Sequence, residues 1–253
     1  MHRFFVDKQN IHEEEQMIIV DDKEDVIHIS KVLRLKTKDQ IEICDGTQNE
    51  YIVEISEIEK SKIVSKILSY KEIGTEPKVQ VSLYQGVPKG SKMELIIQKC
   101  TEVGIATITP IITDRTVVQL KDKKAEEKKT ERWKKIAEEA AKQCKRGRIP
   151  SVMEPISFLD MLKDTQQYDL SMIPYENEAL LGLKKILRSN PQTQKIAIVI
   201  GPEGGFEESE ILAAKNAGII PVTLGPRILR TETAGFIALG IVMYELGDIG
   251  GII

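Results

Sequence analysis

Over the first third of the chain, apolar and polar positions alternate in short runs. Residues 2–6 read as a strand, 18–20 as another short apolar run, and 30–35 as the end of a short helix. Residues 40–44, an Asp45-Gly46 turn, the period-two stretch 50–58 and the run 62–70 follow. Short strands punctuated by turn residues predict a small β-barrel. Gly74-Thr-Glu-Pro77 reads as the linker that ends it, because a Gly/Pro pair marks a break.

From Pro77 onward, strand-like runs alternate with helical ones. Strands are expected at 79–86, 106–112, 168–173, 195–200 and 220–224. Helices are expected at 89–103, 126–146, 178–187, 207–217 and 231–246. In the first helix, Met93, Ile96, Ile97 and Cys100 recur at steps of three and four, and Gly104 is the expected stop. In the second, Trp133, Ile136, Ala137, Ala140 and Cys144 form a stripe that plain core packing explains. Alternating strands and helices predict an α/β unit with a largely parallel sheet covered on both faces.

Composition narrows the class. The 253 residues are 41% hydrophobic and 30% charged, enough for a sizeable core without metal or disulfide. Cys44, Cys100 and Cys144 are too scattered for a zinc site or a disulfide framework, and no metal is expected. Unpaired cysteines fit a reducing, cytoplasmic setting. No apolar run is long enough to span a membrane, and the N-terminus lacks the apolar core of a signal peptide.

The formal net charge of −3 argues against nucleic acid, but its distribution is uneven. Residues 1–76 carry 11 Lys/Arg against 17 Asp/Glu, whereas 121–148 carry 12 basic and 6 acidic side chains. That stretch ends in Lys142-Gln-Cys-Lys-Arg-Gly-Arg148, a cluster that could hold phosphates but taken alone reads better as a solvated helix end.

Three strand ends stand out: Ile173-Pro-Tyr-Glu176, Ile200-Gly-Pro-Glu-Gly-Gly-Phe206 and Leu224-Gly-Pro-Arg-Ile-Leu-Arg-Thr-Glu-Thr-Ala234. In open α/β sheets, ligands bind beyond the carboxyl ends of strands. Glycines 201, 204, 205 and 225 permit close backbone approach and positive φ. Neither GxxxxGK[ST] nor GxGxxG occurs, and Glu203, Glu207, Glu208 and Glu210 would repel a pyrophosphate. The loops therefore suit a phosphate-free nucleoside bearing a cationic sulfonium, with Ile200, Leu224, Ile228 and Leu229 packing its base. An ordinary turn followed by dipole-matched acids would explain one such loop, and explains two in succession less well.

The two glycine motifs closely resemble the signatures of the RsmE family, which methylates N3 of a uridine in 16S ribosomal RNA. The resemblance runs the whole chain. Arg3-Phe-Phe-Val6 and Val32-Leu-Arg34 look like the family's PUA-like domain, and Lys89-Gly-Ser-Lys-Met-Glu-Leu-Ile-Ile-Gln-Lys99 with Thr101-Glu-Val-Gly104 looks like its first catalytic-domain helix. It implies a PUA-like RNA-binding β-barrel over residues 1–73 and a SPOUT methyltransferase domain over 74–253. It also implies a C-terminal trefoil knot, a homodimer and S-adenosylmethionine (SAM) as cofactor. Carried over by position, the cofactor site comprises Pro174, Glu176, Ile200, Gly201, Pro202, Glu203, Gly204, Gly205, Leu224, Gly225, Ile228, Leu229, Arg230, Thr231, Glu232 and Ala234.

Uridine N3 must lose a proton and leave any base pair before it can attack a methyl group. Arg230 is expected to stabilise the resulting anion, and Glu232 to accept the proton or merely to suit the helix dipole. Arg3, Arg34, Lys89, Lys92, Arg115, Arg146 and Arg148 are candidate phosphate contacts with 16S rRNA or the small subunit, although each taken alone reads better as an ordinary solvated charge. A related enzyme acting on tRNA or ribose 2′-OH, and a non-catalytic RNA-binding assembly factor, stay open. Calorimetry with SAM separates the last of these from an enzyme.

Overall fold

Six strands make the first sheet: β1 (Arg3–Phe5), β2 (Ile11–His12), β3 (Met17–Val20), β4 (Gln40–Cys44), β5 (Asn49–Ile58) and β6 (Ile63–Glu72). The computed structural model describes residues 1–47, 49–117, 123–178 and 180–251. The sheet order is β1-β4-β5-β6-β3-β2, with β1 parallel to β4 and the other pairs antiparallel. Alternate residues point inward, so Ile41, Ile43, Val53, Ile55 and Ile63 meet Phe4, Ile18 and Ile29 in one buried core. Register shifts at Ile52/Val53 and Ile55/Glu57 curl the long β5–β6 hairpin around that core. Helix α1 (Lys23–Ile27) begins where Asp22 accepts the amides of Glu24 and Asp25, and it continues into a π-helical turn through Val32. The helical end expected near residue 30 is this turn.

This first unit consists of Met1–Glu76 together with Ala141–Ile149. The returning segment carries the Lys142–Arg148 cluster, and three of its four charges are paired inside the unit. Lys142 Nζ lies 3.0 Å from Asp25, Lys145 Nζ 3.3 Å from Glu42, and Arg146 Nη2 2.7 Å from Glu76. Glu76 also accepts the backbone amides of Gly147 and Arg148. Arg3 is buried beside them, paired with Glu42 and Glu50 and donating to the Arg146 carbonyl at 2.9 Å. Arg3 and Arg146, expected as phosphate contacts, are corrected by this geometry. Each is buried, and its guanidinium already serves carboxylates.

The second unit, Pro77–Ala140 with Pro150–Ile253, is α/β. Its elements are β7 (Gln80–Gly86), α2 (Lys92–Glu102), β8 (Thr107–Ile112), α3 (Lys123–Gln143), β9 (Ser151–Val152), β10 (Ile156–Ser157) and α4 (Phe158–Asp164). They continue with β11 (Leu170–Pro174), α5 (Leu183–Ser189), β12 (Lys195–Ile200), α6 (Glu208–Asn216), β13 (Ile220–Val222) and α7 (Thr231–Glu245). The parallel sheet runs β10-β8-β7-β12-β11-β13, with β9 also paired to β8. Strands β11, β12 and β13 therefore end at the same edge, and their following loops converge. Pro221 is tolerated because β13 is an edge strand. Gly104 ends α2 with φ of +96°, as its position predicts.

Strands β9 and β10 and helix α4 give no signal in the sequence, since their two to seven residues are too short to display a period. The sequence pattern also puts the start of α5 five residues early. Glu178 accepts the amides of Leu180 and Leu181, and Gly182 stays extended against Thr223, so the helix cannot start before Leu183. Among the described residues, no helix is long and apolar enough to cross a membrane.

Candidate functional site

The loop after β12 is held close by what its neighbours lack. A Cβ on Gly86, the last residue of β7, would lie 2.5 Å from the Pro202 nitrogen, so Gly86 lets the Gly201-Pro-Glu-Gly-Gly205 loop press onto the sheet. Within the loop, Gly205 adopts φ of +68° and returns its amide to the Pro202 carbonyl at 3.0 Å. Gly201 and Gly204 have ordinary φ and are small for packing. A Cβ would meet the Phe206 ring in the first case and the Arg115 side chain in the second, at 3.1 Å.

The loop after β13 turns at Gly225, with φ of +122°, and leads to Arg230, which precedes the first residue of α7. The loop after β11 is tied to β13 by the Tyr175 amide, which donates to the Val222 carbonyl at 3.0 Å. Together the three loops enclose a cavity of about 940 Å³, within the usual range for a small-molecule site. Every residue that the motifs assigned to the cofactor lines it, from Pro174 and Glu176 through the two glycine loops to Ala234. Lys92, Tyr175, Glu178, Phe206, Thr223, Pro226 and Arg227 line it too. Of these, Lys92 is the candidate phosphate contact of the sequence, Tyr175, Phe206, Pro226 and Arg227 belong to the same three strand ends without an assigned role, and Glu178 and Thr223 lie beside them.

Lys92 joins two of the loops electrostatically. Its Nζ donates to Glu203 at 2.9 Å and stands 3.6 Å from Glu232 Oε2. The hydrogen bond from Lys92 to Glu203 raises the ammonium above its ordinary range. Burial pushes the Glu203 carboxyl up, yet hydrogen bonds from Lys92 and from the Lys89 amide leave it below the usual carboxylate value. At 3.6 Å the second carboxylate is attracted but not hydrogen-bonded. Glu232 Oε2 is buried and has no hydrogen-bond partner among the described residues. A buried oxygen left in this state at a cavity wall calls for a donor from a ligand.

Arg230 is exposed at the rim, and its guanidinium makes no ion pair among the described residues. Ile228 is 89% exposed there, an apolar side chain with little of its own protein to cover it. Arg115, a candidate for phosphate, instead forms a fork. It donates to Glu207 at 2.7 and 2.9 Å and to the Gly204 carbonyl at 2.8 Å. That hydrogen bonding holds the Glu207 carboxyl below its usual range. Glu210 takes the amides of Asp114 and Glu207, so these two acids secure the loop's exit into α6. Arg34, with φ of +55°, Lys89 and Arg148 are exposed.

Comparisons with known proteins agree with this geometry. A family profile described as an RNA methyltransferase domain matches residues 75–243, and one described as an RNA methyltransferase PUA domain matches 20–68. The chain is 38% identical over 251 residues to the ribosomal RNA small subunit methyltransferase E of Bacillus subtilis, covering 97% of each protein. A Neisseria gonorrhoeae ribosomal RNA small subunit methyltransferase E, solved bound to S-adenosyl methionine, superposes with TM-score 0.86 at 28% identity, over 98% of this chain and 99% of that one. A Legionella pneumophila protein solved with the cofactor SAM gives TM-score 0.87 at 31% identity, over 98% of both chains. With matches spanning both of its units, the chain belongs to the RNA methyltransferase family of ribosomal RNA small subunit methyltransferase E.

Proposed function

We propose that this protein transfers the methyl group of SAM to N3 of a uridine in 16S ribosomal RNA. The observation that carries the reading is the 940 Å³ cavity in which both glycine motifs converge on a buried Glu232 oxygen that has no hydrogen-bond partner among the described residues. The lining fits the cofactor. Glu176, Glu203 and Glu232 face the cavity, which favours a cationic ligand over a polyphosphate, while Ile200, Leu224 and Leu229 offer apolar surface to a base. Bound SAM would supply an electrophilic methyl group on a sulfonium.

The chain's own residues must then make the uridine a nucleophile. Glu232 Oε2 accepts the N3 proton, since it has no competing hydrogen bond among the described residues. Lys92 Nζ, 3.6 Å away, stands beside that carboxylate as its counter-charge. Arg230 reaches the base from the rim and stabilises negative charge on its carbonyl oxygens. Ile228, exposed at the cavity, is free to pack against the cofactor's base.

The N-terminal PUA-like unit and the C-terminal SPOUT unit divide the work between RNA binding and chemistry. Arg34, Lys89 and Arg148 serve as phosphate contacts, so affinity should fall steeply with salt. The C-terminal segment threads as a trefoil knot, a reading supported by β12 lying between β7 and β11 although it follows β11 in the chain. The protein acts as a homodimer, with exposed Ile237 and Tyr244 of α7 in reach of a second copy. Its setting is the cytoplasm, where ribosomal subunits are found.

Nucleoside mass spectrometry of 16S rRNA from a strain lacking the gene should show loss of one N3-methyluridine, restored by the wild-type gene. An unchanged nucleoside profile, or purified protein that ignores SAM and grips ATP, overturns the proposal.

A further inference from the structure

Gln85, at the end of β7, is fully buried, and no chemical motif includes it. Its Nε2 donates to the Gly86 carbonyl at 3.0 Å and to Thr231 Oγ1 at 2.9 Å. The Gly86 carbonyl can only accept, which fixes the amide with its nitrogen on this side. Thr231 must therefore receive a hydrogen bond from Gln85, and its own single proton is left to donate elsewhere. It goes to the Gly201 carbonyl, at 2.6 Å.

Three segments far apart in sequence are joined by this chain of donors: the last residues of β7, the first residue of the loop after β12, and the first residue of α7. The Gln85 Oε1 atom has no partner among the described residues. It points at Gly235 of α7, where a Cβ would stand 3.4 Å away. An orphaned buried acceptor is costly, and a leucine or methionine would fill the space without that cost. What the amide supplies in return is the direction of a proton.

We infer that Gln85 is a positioning residue of the cofactor site, acting through Thr231 to fix the Gly201 carbonyl and thereby the spacing of the two glycine loops. This inference rests on the reading of the cavity as a SAM site. Gly201 and Thr231 both line the cavity, whereas Gln85 does not. Its effect is therefore indirect and should reach the ligand only through the hydroxyl.

The experiment is calorimetric titration of SAM into the folded full-length protein, with circular dichroism as the fold control and methylation kinetics alongside. Gln85→Met, which keeps the shape and removes the donor, should weaken SAM binding by about tenfold, the value of roughly one buried hydrogen bond. Thr231→Val should do the same, and Thr231→Ser, which restores the hydroxyl, should recover most of the loss. The double variant Gln85→Met/Thr231→Val should bind no worse than Thr231→Val alone, because the two residues act in series. KM for SAM should rise more than kcat falls. Gln85→Glu offers a second route should Gln85→Met fold poorly. Its carboxylate would draw the Thr231 proton away from Gly201 and weaken binding to a similar extent.

If the wild type binds SAM and the folded Gln85 variants bind it equally well, the inference fails while the site reading stands. Fully additive losses in the double variant overturn the inference too. A wild type that binds no SAM removes the site reading first, and the inference with it.

Discussion

The two units bury charge in opposite ways. In the N-terminal unit, Arg3 lies between Glu42 and Glu50, Arg146 faces Glu76, and Lys142 faces Asp25, each pair close and largely withdrawn from water. Such pairs fix one geometry but leave no valence for a ligand. In the C-terminal unit, the cavity wall keeps Glu232 Oε2 buried and 3.6 Å from its cation, too far to be satisfied. A charged residue at the surface of a sequence pattern can thus be a fastening or a reagent. The difference is whether the fold has already used it.

Substitutions sharpen that contrast, and the largest effect should come from the fastenings. Arg3→Ala leaves Glu42 and Glu50 with only the exposed Lys145 and Lys71 ammoniums as partners and should cost about 3 kcal/mol in urea unfolding, with kcat of the folded fraction unchanged. A loss below about 1 kcal/mol would show that these pairs do not shape the unit. At the cavity the pattern should reverse. Glu232→Gln should lower turnover by about a hundredfold or more while stability changes little, because the carboxylate oxygen it replaces makes no hydrogen bond among the described residues. If its pH profile keeps the wild-type height and shape, the proton goes elsewhere. Arg230→Ala should cut kcat by about a hundredfold with SAM affinity retained, and unimpaired turnover would remove Arg230 from the chemistry.

A smaller effect is expected at Asp45, whose carboxyl accepts four hydrogen bonds from Thr47 and Asn49. Burial pushes that group up, yet these bonds hold it at about 2 instead of 3.8. A depressed carboxylate stabilises the fold above its unfolded pKa and ceases to do so as pH falls through the folded one. Asp45→Asn should therefore cost about 2 kcal/mol at neutral pH, and the gap from wild type should close between about pH 4 and pH 2. A gap that persists at pH 2 would place the effect in packing. Least of all, Arg115→Ala should raise KM for SAM severalfold with little change in melting, since the fork is exposed. A change in kcat alone would contradict its role as a loop clamp.

The glycine loops were legible because their demands are local. Gly205 and Gly225 need positive φ, and Gly201 needs room beside Phe206. The alternation of strand and helix was legible for the same reason, since α2 repeats its apolar residues at steps of three and four, while β12 and α7 are apolar runs of strand and of helix length. The basic cluster was not, because its partners Asp25, Glu42 and Glu76 lie 70 or more residues away in the chain. Nothing near Arg146 in sequence announces Glu76. Gln85 was equally silent, a single amide in a strand whose meaning depends on Thr231, 146 positions later. Pairings across such distances are products of the fold, and a one-dimensional pattern records them only as unexplained polarity.

The return of Ala141–Ile149 to the N-terminal unit sets a limit on how that unit can be excised. A gene fragment stopped at residue 76 would carry Asp25 and Glu76 without Lys142 and Arg146, and would leave the Arg3 guanidinium one acceptor short. Supplying residues 141–149 as a separate peptide should restore its melting temperature, making the clasp a portable complement rather than a covalent necessity.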